Sequence, residues 1–199
     1  PADIVIRRNS LYTPLSWKGV WSQKNLLELK NAVRVLIEEN VFDGSWADGQ
    51  TGWAMILKSA NQGNTCTWCR VTDVTIRSNY ITHAGAGINV APWGDRANVD
   101  TTTRRIAILD NVLDSLANGS YSGDRRAFQV LQRTADVQMQ GNVVGGGSSL
   151  AGFLYVESRT APTTGLVFRD NVVPRGQYGV ICSGRGSGLA SLDTCAPGY

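Results

Sequence analysis

The sequence is short of histidine, of charge bias and of long apolar runs. Among 199 residues there is one histidine, His83. Lys and Arg number 19 and Asp and Glu 16, so the net charge is +3, with no basic or acidic run. A dedicated nucleic-acid binder usually carries a clustered basic face, and that partner is not expected. No apolar stretch approaches the ~20 residues of a membrane-spanning helix, so no membrane span is predicted. No secretory leader is present, yet residue 4 already lies in a strand with no cap before it. Solenoids need capped ends for solubility, so the sequence predicts one β-helix domain over 1–199 that is a segment of a longer chain. An uncapped end carries the hazard of an edge strand and predicts end-to-end self-association. Nucleophile elbow, P-loop and dinucleotide fingerprints are absent. No amphipathic helical period separates the apolar runs, which argues against TIM-barrel and doubly wound folds.

What is present is a six-fold repeat: an apolar residue, any residue, an apolar residue, any two, then Asn. It reads Ile4-Val5-Ile6 before Asn9, Val35-Leu36-Ile37 before Asn40 and Val74-Thr75-Ile76 before Asn79. It returns as Ile106-Ala107-Ile108 before Asn111, Val137-Gln138-Met139 before Asn142 and Leu166-Val167-Phe168 before Asn171. Successive Asn residues are 31, 39, 32, 31 and 29 apart. Spacing by two puts both apolar side chains on one face of a strand, and a fixed period of this length marks a solenoid. The sequence therefore predicts an all-β, right-handed parallel β-helix of about six coils. An inward Asn at each bend can bond the turn backbone and the Asn of the next coil, making an asparagine ladder.

A second strand set lies between the Asn copies: 25–30, 53–58, 86–90, 128–131, 153–157 and 179–182. The 39-residue period holds an insertion at 61–70 that carries Cys66 and Cys69. Cys182 and Cys195 are the other two cysteines, and four cysteines allow three pairings. A zinc site needs a second close ligand pair, which 182 and 195 do not make, and a redox CxxC needs a following helix. Local disulfides Cys66–Cys69 and Cys182–Cys195 in an extracellular protein are favoured, with free thiols as the alternative.

If the second strand set stacks in register, Lys30 and Lys58 lie one coil apart. Like charges that close disfavour each other's charged form, so one lysine becomes a candidate neutral base, with Glu28 and Asp48 nearby. Proton abstraction at C5 of a uronate is the chemistry such a base serves; a solvated lysine ladder neutralised by Glu28 is the plainer reading. Trp46, Trp68 and Trp93 come from loops on adjacent coils and offer flat faces to sugar rings, or else cover the coil under the loops. Asn89, Gln50 and His83 complete the candidate substrate-binding set. No cofactor is predicted; Asp48 and Asp95 are the only hint of a Ca²⁺ site, which needs several oxygen ligands. The long loops fall in the first three coils, which is where function is expected.

The stretches Pro1–Asn9, Pro14-Leu15-Ser16-Trp17-Lys18 and Lys24–Ala32 resemble a family of large bacterial right-handed parallel β-helix repeat proteins. Asn40-Val41-Phe42 with Trp46, and Gln50-Thr51-Gly52, are similar too. That family lies in the pectate-lyase-like superfamily. The resemblance implies a secreted or cell-surface protein acting on acidic or neutral polysaccharide as lyase, hydrolase or epimerase. It carries over no catalytic residue, and the insertion with Cys66 and Cys69 departs from its pattern. The expectation is a polysaccharide-active or polysaccharide-binding β-helix, with lyase and hydrolase as its enzymatic forms. The rival is a non-catalytic surface or structural β-helix that binds glycan or self-assembles.

Overall fold

The computed structural model describes residues 1–61, 63, 65–92, 103–146, 149–158 and 161–199. The chain winds as a parallel β-helix whose wall is three sheets, here A, B and C in the order the chain visits them. Sheet A stacks the strands Ala2–Arg7, Ala32–Glu38, Val71–Arg77, Arg104–Leu109, Ala135–Gln140 and Thr164–Arg169. These are the six predicted Asn strands, paired in parallel, coil on coil: Ile4↔Val35, Val35↔Val74, Val74↔Ile106 and onward. Sheet C stacks Leu27–Leu29, Trp53–Lys58, Ala86–Ala91, Arg126–Val130, Gly152–Val156 and Val180–Cys182. A last strand, Gly186–Ser187, pairs antiparallel with the end of that sheet.

Sheet B was not foreseen. It comprises Ser10–Tyr12, Val41–Ser45, Tyr80–Ala84, Val112–Asp114 and Val143–Val144, each following its Asn directly. The Asn therefore sits at the bend between two sheets. The residue before it holds positive φ in every coil: Arg8 57°, Glu39 55°, Ser78 54°, Asp110 53°, Gly141 69° and Asp170 55°. That left-handed residue turns the chain, and the Asn amide pairs the backbone groups the bend would strand.

The ladder runs unbroken through all six coils. Asn40 Nδ2 donates to Asn79 Oδ1 at 2.9 Å, Asn79 to Asn111 at 2.9 Å and Asn111 to Asn142 at 3.0 Å. Asn9 and Asn171 join at the two ends. Each Oδ1 also accepts the backbone N–H of the Asn below it, and each Nδ2 reaches a sheet A carbonyl there, as Asn111 does to Ile76 O at 3.0 Å. Asn40, Asn79, Asn111 and Asn142 are all buried.

The predicted inward pairs fill the core, where Ile37, Ile76, Ile108 and Met139 join Leu57, Val90, Val130 and Val156 of sheet C in one buried cluster. At the C-terminal end a single helical turn, Leu192–Cys195, lays Leu192, Cys195 and Ala196 on this core. Both predicted disulfides are present, with Cα–Cα distances of 5.4 Å for Cys66–Cys69 and 6.0 Å for Cys182–Cys195. Among the described residues, no helix is long and apolar enough to cross a membrane.

Candidate functional site

The outer face of sheet C carries the lysines. Its register, Glu28↔Ile56↔Asn89 and then Gln129↔Tyr155, is the expected one. Lys30 Nζ lies 3.5 Å and Lys58 Nζ 3.8 Å from opposite oxygens of the Glu28 carboxylate. One carboxylate thus bridges the two ammonium groups, which is the arrangement of a salt-bridge cluster. Asn89 and Gln129 beyond it are buried, and Gln129 accepts from the Arg126 guanidinium, which stacks 3.6 Å over the Tyr155 ring. Asp48 belongs elsewhere: it accepts the Gln23 N–H at 2.7 Å and fastens one loop to another.

The outer face of sheet B is organised differently. Leu11, Phe42, Ile81, Leu113 and Val144 point inward, and the register Tyr12↔Asp43↔Thr82↔Asp114 puts those four on the outer side, where Thr82 is itself buried. His83, next after Thr82, holds φ at 49°, and its Nδ1 lies 2.8 Å from Asp43 Oδ1. A carboxylate accepts, so the proton between them sits on Nδ1, and in the neutral imidazole the lone pair is then on Nε2. The side chain is 44% exposed.

A loop from the fourth coil, residues 115–125, folds back across this face. Ala47 N donates to Ser122 O at 2.7 Å, Asp124 N to Thr51 O at 3.0 Å, and Lys18 Nζ to Ser120 O. The crossing depends on glycine. A Cβ on Gly85 would stand 2.1 Å from Ser122 O, and one on Gly123 would stand 2.6 Å from Thr51 O. Asp124 pins the far side, accepting from Thr51 Oγ1 and Trp53 Nε1. The loop sets the Tyr121 ring 5.1 Å from the His83 ring and 6.4 Å from Trp46. Burial, followed by the nearby Asp43 carboxylate and Tyr12, pushes the Tyr121 phenol above its ordinary value. Trp46 is 1% exposed, so it covers the coil beneath the loops and offers no ring to solvent.

Exposed indoles stand instead in the loop after sheet B of the first coil. Trp17 is 46% and Trp21 65% exposed. With Thr13, Ser22 and Gln23 they line a groove of about 500 Å³. Gln23 ties it to the Asp43 segment by donating to Thr13 Oγ1 at 3.0 Å and Gly44 O at 2.7 Å. Asp43, Tyr12, Tyr121, Trp17 and Trp21 were missing from the sequence-based site. The regular apolar residue two places after each Asn (Leu11, Phe42, Ile81, Leu113, Val144) was the available signal for sheet B. Gln50 lies in the tight turn between Ala47 and Thr51, where its carbonyl accepts the Asp48 N–H. Trp93 and Asp95 lie outside the described residues. Among the described residues, no group of three or more His, Cys, Asp or Glu side chains converges to hold a metal.

No family model matches this sequence, and no curated protein or solved structure is significantly similar to it.

Proposed function

We propose that this β-helix acts on a polysaccharide laid across the outer face of sheet B, with His83 as the proton-transfer residue. The carrying observation is the 2.8 Å contact that orients a half-exposed imidazole against Asp43. An oriented imidazole with a free Nε2 is the usual equipment of general acid–base catalysis. Trp17 and Trp21, in the loop after the strand that pairs with that of Asp43, supply the flat, exposed surfaces on which sugar rings stack. The resemblance to pectate-lyase-like β-helices supports the same substrate class. Two reactions start from this geometry. His83 Nε2 takes the C5 proton of a uronate, the C5–H electrons form the C4=C5 bond and the C4–O bond breaks. Alternatively it takes a proton from water that attacks the anomeric carbon as the glycosidic C1–O bond breaks. In either case the leaving oxygen collects a proton from the Tyr121 phenol or the imidazolium. The two disulfides support a place outside the cell, where such bonds persist.

The test separates binding from turnover. Wild type should bind one member of a polysaccharide panel and release new chain ends from it. His83→Gln should bind comparably and release none, while Trp21→Ala should weaken binding. A wild type that binds and releases nothing would make the non-catalytic surface β-helix the correct reading.

A further inference from the structure

The insertion at 61–70 has no part in the site above, yet it is built with care. Cys66 and Cys69 are bonded and both buried. Asn61 closes the loop from within, accepting the Cys66 N–H at 2.9 Å and donating to Thr65 Oγ1 at 2.9 Å. Its exit is stitched to the coil below, Ala32 N to Arg70 O at 2.8 Å and Arg70 N to Asn31 Oδ1 at 3.3 Å. Beside this disulfide Trp68 projects, 71% exposed. A large indole standing in water covers nothing of the core, so packing does not explain it.

Beside it is a groove of about 680 Å³ on the entry edge of sheet A, where Val33, Thr72 and Arg104 stand in register. Trp68, Arg34, Arg70 and Arg104 line it, and no carboxylate does. Arg34 is shared with Asp3 at 2.7 and 2.8 Å. Arg70 and Arg104 have no ion-pair partner among the described residues. The wall is therefore cationic on a chain whose overall charge is only +3.

We propose that this groove is a second saccharide site, for a sugar residue bearing a carboxylate or sulfate. The planar guanidinium forks of Arg70 and Arg104 take the acidic group in paired, charge-assisted hydrogen bonds, and the indole takes the ring face. The acidic group and the flat ring are both required. That distinguishes the groove from a generic basic patch, and the short reach of three arginines disfavours an extended nucleic-acid strand. It lies on sheet A, across the Asn bend from His83, and its occupancy does not depend on turnover there.

The probes are oligogalacturonate (carboxylate), dextran sulfate oligomer (sulfate), neutral dextran and a single-stranded oligonucleotide, followed by calorimetry at fixed low salt with the His83→Gln/Trp17→Ala/Trp21→Ala protein, in which turnover and the indole platform of the sheet B site are both removed. Binding of either acidic saccharide with no binding of neutral dextran is expected, and the tighter of the two names the acidic group. The Arg70→Gln/Arg104→Gln protein should lose at least about tenfold in affinity, the loss of roughly one charge-assisted contact. Trp68→Ala should weaken binding several-fold, with the melting temperature unchanged in both. Equal binding by the double variant, binding of neutral dextran as tight as the acidic saccharides, or an oligonucleotide tighter than both would overturn the assignment.

Discussion

Asp73 and Arg105 face each other across neighbouring coils, the guanidinium donating to both carboxylate oxygens at 2.6 and 2.7 Å. Both residues hold positive φ, 58° and 53°, and so do their counterparts in the other coils: Asp3, Arg34, Asp136 and Gly165. A stacked backbone kink thus carries a column of alternating charge. The Arg105 hydrogen bond holds the Asp73 carboxyl down at about 2, helped by the Thr72 hydroxyl and opposed by desolvation. A carboxyl held lower in the folded than in the unfolded chain adds stability above its unfolded value and loses it as pH falls through the folded one. That contribution is whole well above the ordinary value of 3.8 and is lost as pH falls through about 2. Because the Asp73 side chain is a third exposed, about 1 kcal/mol is its ceiling. Asp73→Asn should therefore be less stable than wild type in urea near neutrality, with the difference closing as pH approaches 2. A difference independent of pH would contradict this.

The Asn ladder should show an end effect. Asn111→Ala removes the side-chain partners of the Asn79 N–H and Ile76 O in a dry interior, takes one of three hydrogen bonds from the Asn79 amide, and should cost about 1–3 kcal/mol. Asn9→Ala, at the exposed start of the column, should cost clearly less. Equal losses in urea denaturation would mean that the ladder contributes nothing through burial.

Gly85→Ala probes the crossing loop. The new methyl meets Ser122 O and must push residues 120–125 off sheet B, at about 1–3 kcal/mol for overpacking. Tyr121 then leaves His83, so the variant should gain protease sensitivity in that loop and lose turnover, while Gly63→Ala, with nothing near its Cβ, should keep both properties of the wild type. Full turnover with a displaced loop would remove Tyr121 from the mechanism.

The two disulfides should differ. Cys182–Cys195 closes a 13-residue separation and fastens Leu192 and Ala196 to the core, so Cys182→Ser/Cys195→Ser should cost about 2–4 kcal/mol. Cys66–Cys69 closes only three, and its loss should change the melting temperature little while loosening Trp68. Equal shifts for the two pairs would contradict the roles given them.

The sequence made sheets A and C legible because their inward pairs recur at a spacing of two in phase with the Asn. Sheet B escaped notice because its strands run two to five residues, too short for alternation to show. The left-handed positions were illegible for another reason. Arg34 and Arg105 have no preference for positive φ, and it is the stacking of coils that imposes it. Asp43 and His83, 40 residues apart, meet only when sheet B is counted and the kink at His83 is added. Tyr121 required a loop from the fourth coil to return over the third and second, which no spacing reveals. Function was expected in the first three coils, and the site proposed on sheet B takes in Tyr121 from the fourth. Lys30, Lys58 and Glu28 stand together as the stacking register implied, in the salt-bridged form that was the plainer of the two readings, and of the two readings of Trp46, platform or cover, its burial fits the cover.

Because His83 is the only histidine, its ring signals are unambiguous in an NMR spectrum. The most direct measurement follows them while an oligosaccharide cut from the tightest-binding polysaccharide is titrated into the His83-intact protein at low temperature. The imidazole signals should start as the Nδ1–H tautomer. They should then shift on one saturation curve with the indole N–H signals of Trp17 and Trp21, while the buried Trp46 and Trp53 signals stay in place. Saturable binding that leaves the His83 ring and both exposed indoles unmoved would contradict the placement of the working site on sheet B.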